Sequence, residues 1–239
     1  MTRRRWIADE FDGASAALTG VQAAHLIRVL RVKPGMQYDV VTGERVHRGT
    51  IEEVRPDCVI FSLHEEVEAD VALSLTLALA VFKFDRMEWA IEKATELGIA
   101  SIVPVIARRT EKHLAQAAEK RVERWRRIAF EAAKQSRRSA VPEIAEPLPL
   151  SKYLLAPGED ANKIVLAETE HVTTLQDCLR RDDIQTAIAV GPEGGWADEE
   201  LAAFKEKGWQ AASLGPRILR TETAAIACIA IAAAYFEGR

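Results

Sequence analysis

Hydrophobic and polar positions follow two different rhythms along the 239 residues. In the first seventy, "GVQAAHLIRVL" repeats apolar side chains at helical spacing and is stopped by "KPG"; "MQYDVVTG", "HRGTIEEV" and "CVIFSLHEEV" then read as strands between turn residues. The pattern predicts a small β-rich domain over 1–70. From residue 71 the character changes, because "VALSLTLALAVF" is a continuous apolar run of the kind expected for a strand covered on both faces. After it come a helix ("MEWAIEKATELG"), a strand ("IASIVPVIA"), a helix over 114–138, two strands ("KIVLAE" and "AIAVG"), a helix ("DEELAAFKEKG"), a strand ("QAASLG") and a final apolar helix. That alternation predicts an α/β domain over 71–239 with a mostly parallel sheet. "SAVPEIAEPLPL", with three prolines, reads as an extended connector, and no internal repeat is found.

Two helices carry further information. The run from Thr223 to Phe236 is shorter than the roughly 20 apolar residues a bilayer span needs, so a buried helix is expected and no membrane association. In the helix over 114–138, Leu114, Ala118, Val122, Trp125, Ala129 and Ala132 fall on one face and should pack inward. Lys120, Arg124, Arg127, Lys134 and Arg138 share another, with Arg137 beside them.

Charge sharpens that stripe. The net charge of −4 conceals a segment, residues 108–138, that alone sums to +7, whereas 139–239 sums to −7. Such a segment can neutralise phosphates, or it can be an ordinary solvated helix face. Composition (48% hydrophobic, 28% charged) is that of a globular chain, and the basic start is followed by no signal-peptide core. Three isolated cysteines and five scattered histidines suggest neither a disulfide framework nor a metal site, which fits a reducing cytoplasm.

Candidate chemistry sits in two glycine turns that each follow an apolar strand, "AIAVGPEGGW" and "AASLGPRILR". Loops at the carboxyl ends of parallel strands expose backbone groups where ligands bind, although tight turns alone would also call for these glycines. Neither turn matches a dinucleotide or triphosphate fingerprint. Lys83, Asp85 and Arg86 follow the first strand of the second domain and either cap a helix or reach a ligand. His25 is expected to be half-buried packing, and Trp89 and Trp125 to be core; Trp196, in a glycine turn, stays open.

Taken together, "HLIRVLRVKPG", "KATELG", "EAAKQSRRSAVPEI", "GPEGGW" and "LGPRILRTETA" resemble the SPOUT-class methyltransferases. More closely, they are similar to the bacterial subgroup that methylates N3 of a uridine in small-subunit ribosomal RNA. The motifs span residues 25–225. The resemblance implies a PUA-like β-barrel followed by an α/β domain with a C-terminal trefoil knot, a feature sequence physics alone would not suggest. It also implies S-adenosylmethionine held by Leu166, Ala167, Glu168 and Thr169, by Gly191, Pro192, Glu193, Gly194 and Gly195, and by Leu214, Gly215, Ile218, Leu219, Arg220 and Thr223. Arg220 is expected to stabilise the uracil anion and Glu193 to take the proton. RNA contacts are expected from Arg31, Lys83, Arg124, Arg137 and Arg138, within a cytoplasmic homodimer acting on rRNA or the assembled small subunit. Ala24 stands where the subgroup often carries a second histidine. The competing reading is a non-catalytic RNA-binding assembly factor of the same fold; a nucleotide hydrolase lacks its phosphate-loop lysine.

Overall fold

The structure is a computed structural model that describes residues 5–43, 45–67, 72–136, 138–158, 160–180 and 185–237. The chain divides into two compact units, 1–71 with 133–140, and 72–132 with 141–239.

In the first unit, β1 (Arg5–Ile7), β2 (Glu10–Phe11) and β3 (Ser15–Thr19) precede α1 (Gly20–Ala24) and one π-helical turn, His25–Val29. Then follow β4 (Gln37–Thr42), β5 (Arg45–Val54) and β6 (Cys58–Val67). These strands form one sheet in the order β1-β4-β5-β6-β3-β2, antiparallel except for the β1–β4 pair. Leu18, Leu26, Val40, Ile51, Val59 and Phe61 fill its core because alternate residues of each strand point to one face. His25 is exposed, contrary to the packing expectation, with its ring tilted over Trp6 at 5.8 Å. Arg31 is also exposed and holds a φ of 50°, a conformation few side chains adopt.

The second unit begins with β7 (Leu73–Ala80), α2 (Phe84–Glu96), β8 (Ile99–Ile106), α3 (Lys112–Ala117) and α4 (Val122–Ser136). Next come β9 (Glu143–Ile144), β10 (Leu148–Pro149), α5 (Leu150–Tyr153), β11 (Asn162–Leu166) and α6 (Leu175–Cys178). β12 (Thr186–Val190), α7 (Asp198–Glu206), β13 (Gln210–Ala212) and α8 (Thr221–Glu237) complete it. The sheet runs β10-β8-β7-β12-β11-β13, with β9 also on β8, and every pairing is parallel. Its central strands β7 and β12 are almost entirely buried, as continuous apolar runs in a parallel sheet require.

The helix expected over 114–138 is interrupted, since a 3-10 turn at Glu119–Arg121 separates α3 from α4. Leu114, Ala118, Val122, Trp125, Ala129 and Ala132 are nonetheless all buried. Trp89 corrects the sequence reading, being 47% exposed. No helix among the described residues is long and apolar enough to cross a membrane.

α8 is apolar on every side. Ala225, Cys228, Ile229 and Ala232 are buried in the same core as Met87, Ala90, Ile91 and Ala94 of α2, whereas Thr223, Ala230 and Ala234 are exposed. Burial pushes the Cys228 thiol up to about 12, and burial also raises Cys178 and Cys58. Because the thiolate is the reactive form, a small alkylating agent at about pH 8 should label half-buried Cys58 first, and Cys228 only after unfolding. Peptide mass spectrometry checks this; labelling of native Cys228 at the unfolded-state rate would contradict it.

Candidate functional site

Because β12, β11 and β13 are parallel neighbours, the loops that follow them leave the sheet at the same edge. Hydrogen bonds tie these loops together. Ala167 N–H donates to Ala212 O (3.1 Å), Ser213 N–H to Thr173 O (2.9 Å) and Leu175 N–H to Ser213 O (3.0 Å), so the segment after β11 runs beside the one after β13. The indole Nε1 of Trp196 donates to Leu166 O at 3.1 Å, joining the loop after β12 to the end of β11.

Trp196 itself is buried, with its ring 4.9 Å from that of Phe204 on α7. Gly191 leaves room beside it: a Cβ there would lie a tight 3.2 Å from the indole. Gly195 and Gly215 need their missing side chains for another reason, their φ angles being 69° and 101°. The segment after β8 closes the near side, since Arg109 Nη1 donates to Gly194 O at 2.6 Å and Arg108 N–H to Glu200 Oε1 at 2.7 Å. Sequence reasoning missed Arg109, because only the tertiary fold brings it to a glycine loop 85 positions away.

Between these loops lies a cavity of about 410 Å³, whose lining includes Leu166 to His171, Gly191, Pro192, Gly194, Gly195 and Trp196, Ser213 to Leu219, and Arg109, Thr221 and Ala224. Its size falls within the range of clefts that enclose a small cofactor. Of the residues expected to hold the cofactor, Glu193, Arg220 and Thr223 do not line it. Arg220 is exposed and stands between two that do, Leu219 and Thr221; Thr223 is exposed on α8. Glu193 is ion-paired instead, its Oε1 3.0 Å from Arg86 Nη1 and 3.7 Å from Lys83 Nζ. Glu170, on the cavity wall, accepts the amides of Val172 and Thr173, which holds its carboxyl below the usual range.

The basic stripe is partly neutralised. Arg124 makes a two-pronged pair with Glu88 (2.6 and 2.8 Å), which Arg121 also approaches at 3.6 Å. Lys120 and Arg127 are exposed, Arg138 is buried, and Arg137 lies outside the described residues.

A family model described as an RNA methyltransferase domain matches residues 69–233. Among curated relatives, ribosomal RNA small subunit methyltransferase E of Synechocystis sp. is 32% identical over 94% of this chain and 74% of its own length. The Bacillus subtilis protein of the same name is 29% identical over 89% and 87%. Among solved structures, ribosomal RNA small subunit methyltransferase E from Neisseria gonorrhoeae bound to S-adenosyl methionine superposes with a TM-score of 0.82 at 30% identity, covering 95% of each chain. A methyltransferase from Legionella pneumophila in complex with the cofactor SAM gives 0.80 at 30% identity, covering 98% of each. With the matched segment containing the parallel sheet and all three cavity loops, the chain belongs to the RNA methyltransferase domain family.

Proposed function

We propose that this protein transfers the methyl group of S-adenosylmethionine to N3 of a uridine in small-subunit ribosomal RNA. The observation that carries the reading is the meeting of three strand-end loops around one cavity of about 410 Å³. The relatives' names, and S-adenosyl methionine bound to the Neisseria gonorrhoeae protein, support this donor and a small-subunit ribosomal RNA substrate.

The residues present fit such a donor. Gly191, Gly195 and Gly215 keep side chains off the loop backbone, while Glu168, Thr169, Glu170 and Ser213 offer polar groups for its charged and hydroxyl parts. Bound there, S-adenosylmethionine supplies an electrophilic methyl group on a sulfonium. Uracil N3 must lose a proton before it can attack, so negative charge develops on O2 and O4. Arg220, beside the cavity at the head of α8, is the cation we assign to stabilise it. The target base must also leave its stack or be single-stranded.

We read the first unit as a PUA-like barrel that holds RNA, with Arg31 as a phosphate contact, and the C-terminal segment as the family's knot. The exposed small residues Thr223, Ala230 and Ala234 of α8 suit close packing against a second copy, in a cytoplasmic homodimer. Lys120 and Arg127, exposed on the basic stripe, are assigned to RNA phosphates. Replacing both by alanine should weaken RNA binding and reduce the slope of log K against log salt by roughly 0.7–0.9 per lost contact, read by filter binding at several salt concentrations. An unchanged slope would remove them from the RNA surface.

Titration calorimetry tests the cofactor site itself. Wild-type protein is expected to bind S-adenosylmethionine, and Gly215→Val, forced to keep a φ of 101°, to bind about tenfold more weakly or worse. No heat with the wild type would favour a non-catalytic RNA-binding role.

A further inference from the structure

Four charged side chains meet where the loop after β12 approaches the first turns of α2 and α8. Arg86, in the first turn of α2, donates from Nη1 to Glu193 Oε1 at 3.0 Å, and its Nε lies 3.8 Å from Oε1 of Glu222 in the first turn of α8. Lys83 adds a second cation to Glu193 at 3.7 Å. Glu222 is only 6% exposed, and its Oε2 has no hydrogen-bond partner among the described residues. A buried carboxylate in that condition needs a compensating charge, and Arg86 supplies it.

One guanidinium therefore joins the loop after β12 to the head of α8, the two segments that flank the cavity and carry Gly194, Gly195 and Arg220. A general base, by contrast, needs its carboxylate free to take a proton, and Glu193 Oε1 is held by both Arg86 and Lys83. We infer that Arg86 is a positioning residue that clamps the glycine loop 191–195 to the head of α8, with Glu193 as its anchor on the loop and not as the base that takes the N3 proton.

This clamp rests on the reading of 191–195 as a cofactor loop, so its test has one arm that needs no cofactor. Arg86→Gln alone would strand the buried Glu222 charge and risks unfolding; Arg86→Gln with Glu222→Gln removes that risk, and Glu193→Gln cuts the other end. In the full-length protein without ligand, amides of 191–197 should exchange with solvent about tenfold faster in Glu193→Gln and in the Arg86→Gln/Glu222→Gln pair. The triple variant should be no faster, because both cuts sever one link. The dissociation constant for S-adenosylmethionine should rise about tenfold in each, again without multiplying in the triple variant. Wild-type exchange rates in both, or losses that multiply, would overturn the clamp. So would Glu193→Gln that keeps wild-type exchange and affinity but loses kcat, the signature of a base. A wild-type chain that binds no S-adenosylmethionine would overturn the functional reading, leaving the exchange rates to decide the clamp.

Discussion

Arg220→Ala is expected to lower kcat by about 10²- to 10³-fold while the dissociation constant for S-adenosylmethionine stays within about threefold of wild type. The split follows from position. Arg220 does not line the cavity but stands exposed between Leu219 and Thr221, which do, so it is accessible to a substrate arriving from solvent. Its backbone is well fixed: Ala224 N–H donates to Arg220 O at 2.8 Å, opening α8, and α8 is anchored by Ala225, Cys228 and Ile229 in the core. In the proposed role, a guanidinium carried on this fixed backbone meets the charge that develops on the uracil, and its removal is expected to cost about 3–4 kcal/mol in the transition state. Single-turnover methylation of an RNA fragment, with cofactor binding measured separately, distinguishes the two effects. A tenfold loss of cofactor affinity with kcat unchanged would place Arg220 in the donor site instead.

Trp196→Ala should be the most damaging single change to the fold near the site, destabilising the protein by about 3–5 kcal/mol. The indole fills space against Gly191 and Phe204 and makes the hydrogen bond to Leu166 O, so its loss opens a cavity and frees two loops together. For a chain of this size that corresponds to a fall in melting temperature of roughly 10 °C. Trp196→Phe keeps most of the packing and loses the hydrogen bond, which is worth about 1 kcal/mol. Thermal denaturation of the two variants measures the difference. Equal stability of Trp196→Ala and wild type would mean that the indole is not what holds the loops.

Much of this arrangement was legible in the residues. The strands that became β7, β8, β11, β12 and β13 announced themselves as apolar runs ended by glycine or charge, because parallel strands buried on both faces have no polar alternation to hide them. β1 and β3 did not, being short and built in part from residues with little strand preference, and they are fixed by pairing with β4 and β6. The π-helical turn at His25–Val29 breaks a helical pattern that apolar spacing alone reads as regular. In the site, the two glycine turns follow from their place after apolar strands, whereas Leu166 to Thr169 are named only through the family resemblance. The partners of charged groups do not: that Glu193 turns to Arg86, that Arg124 spends itself on Glu88, and that Arg109 grips Gly194 all depend on contacts between residues 36 to 107 positions apart.

The most direct test is nucleoside mapping of small-subunit ribosomal RNA from a strain lacking the gene, before and after incubation with purified protein and S-adenosylmethionine. One new methyl group, on N3 of a single uridine and absent when the donor is withheld, is the expected result. No transfer, or a methyl group on any other atom, would contradict the account.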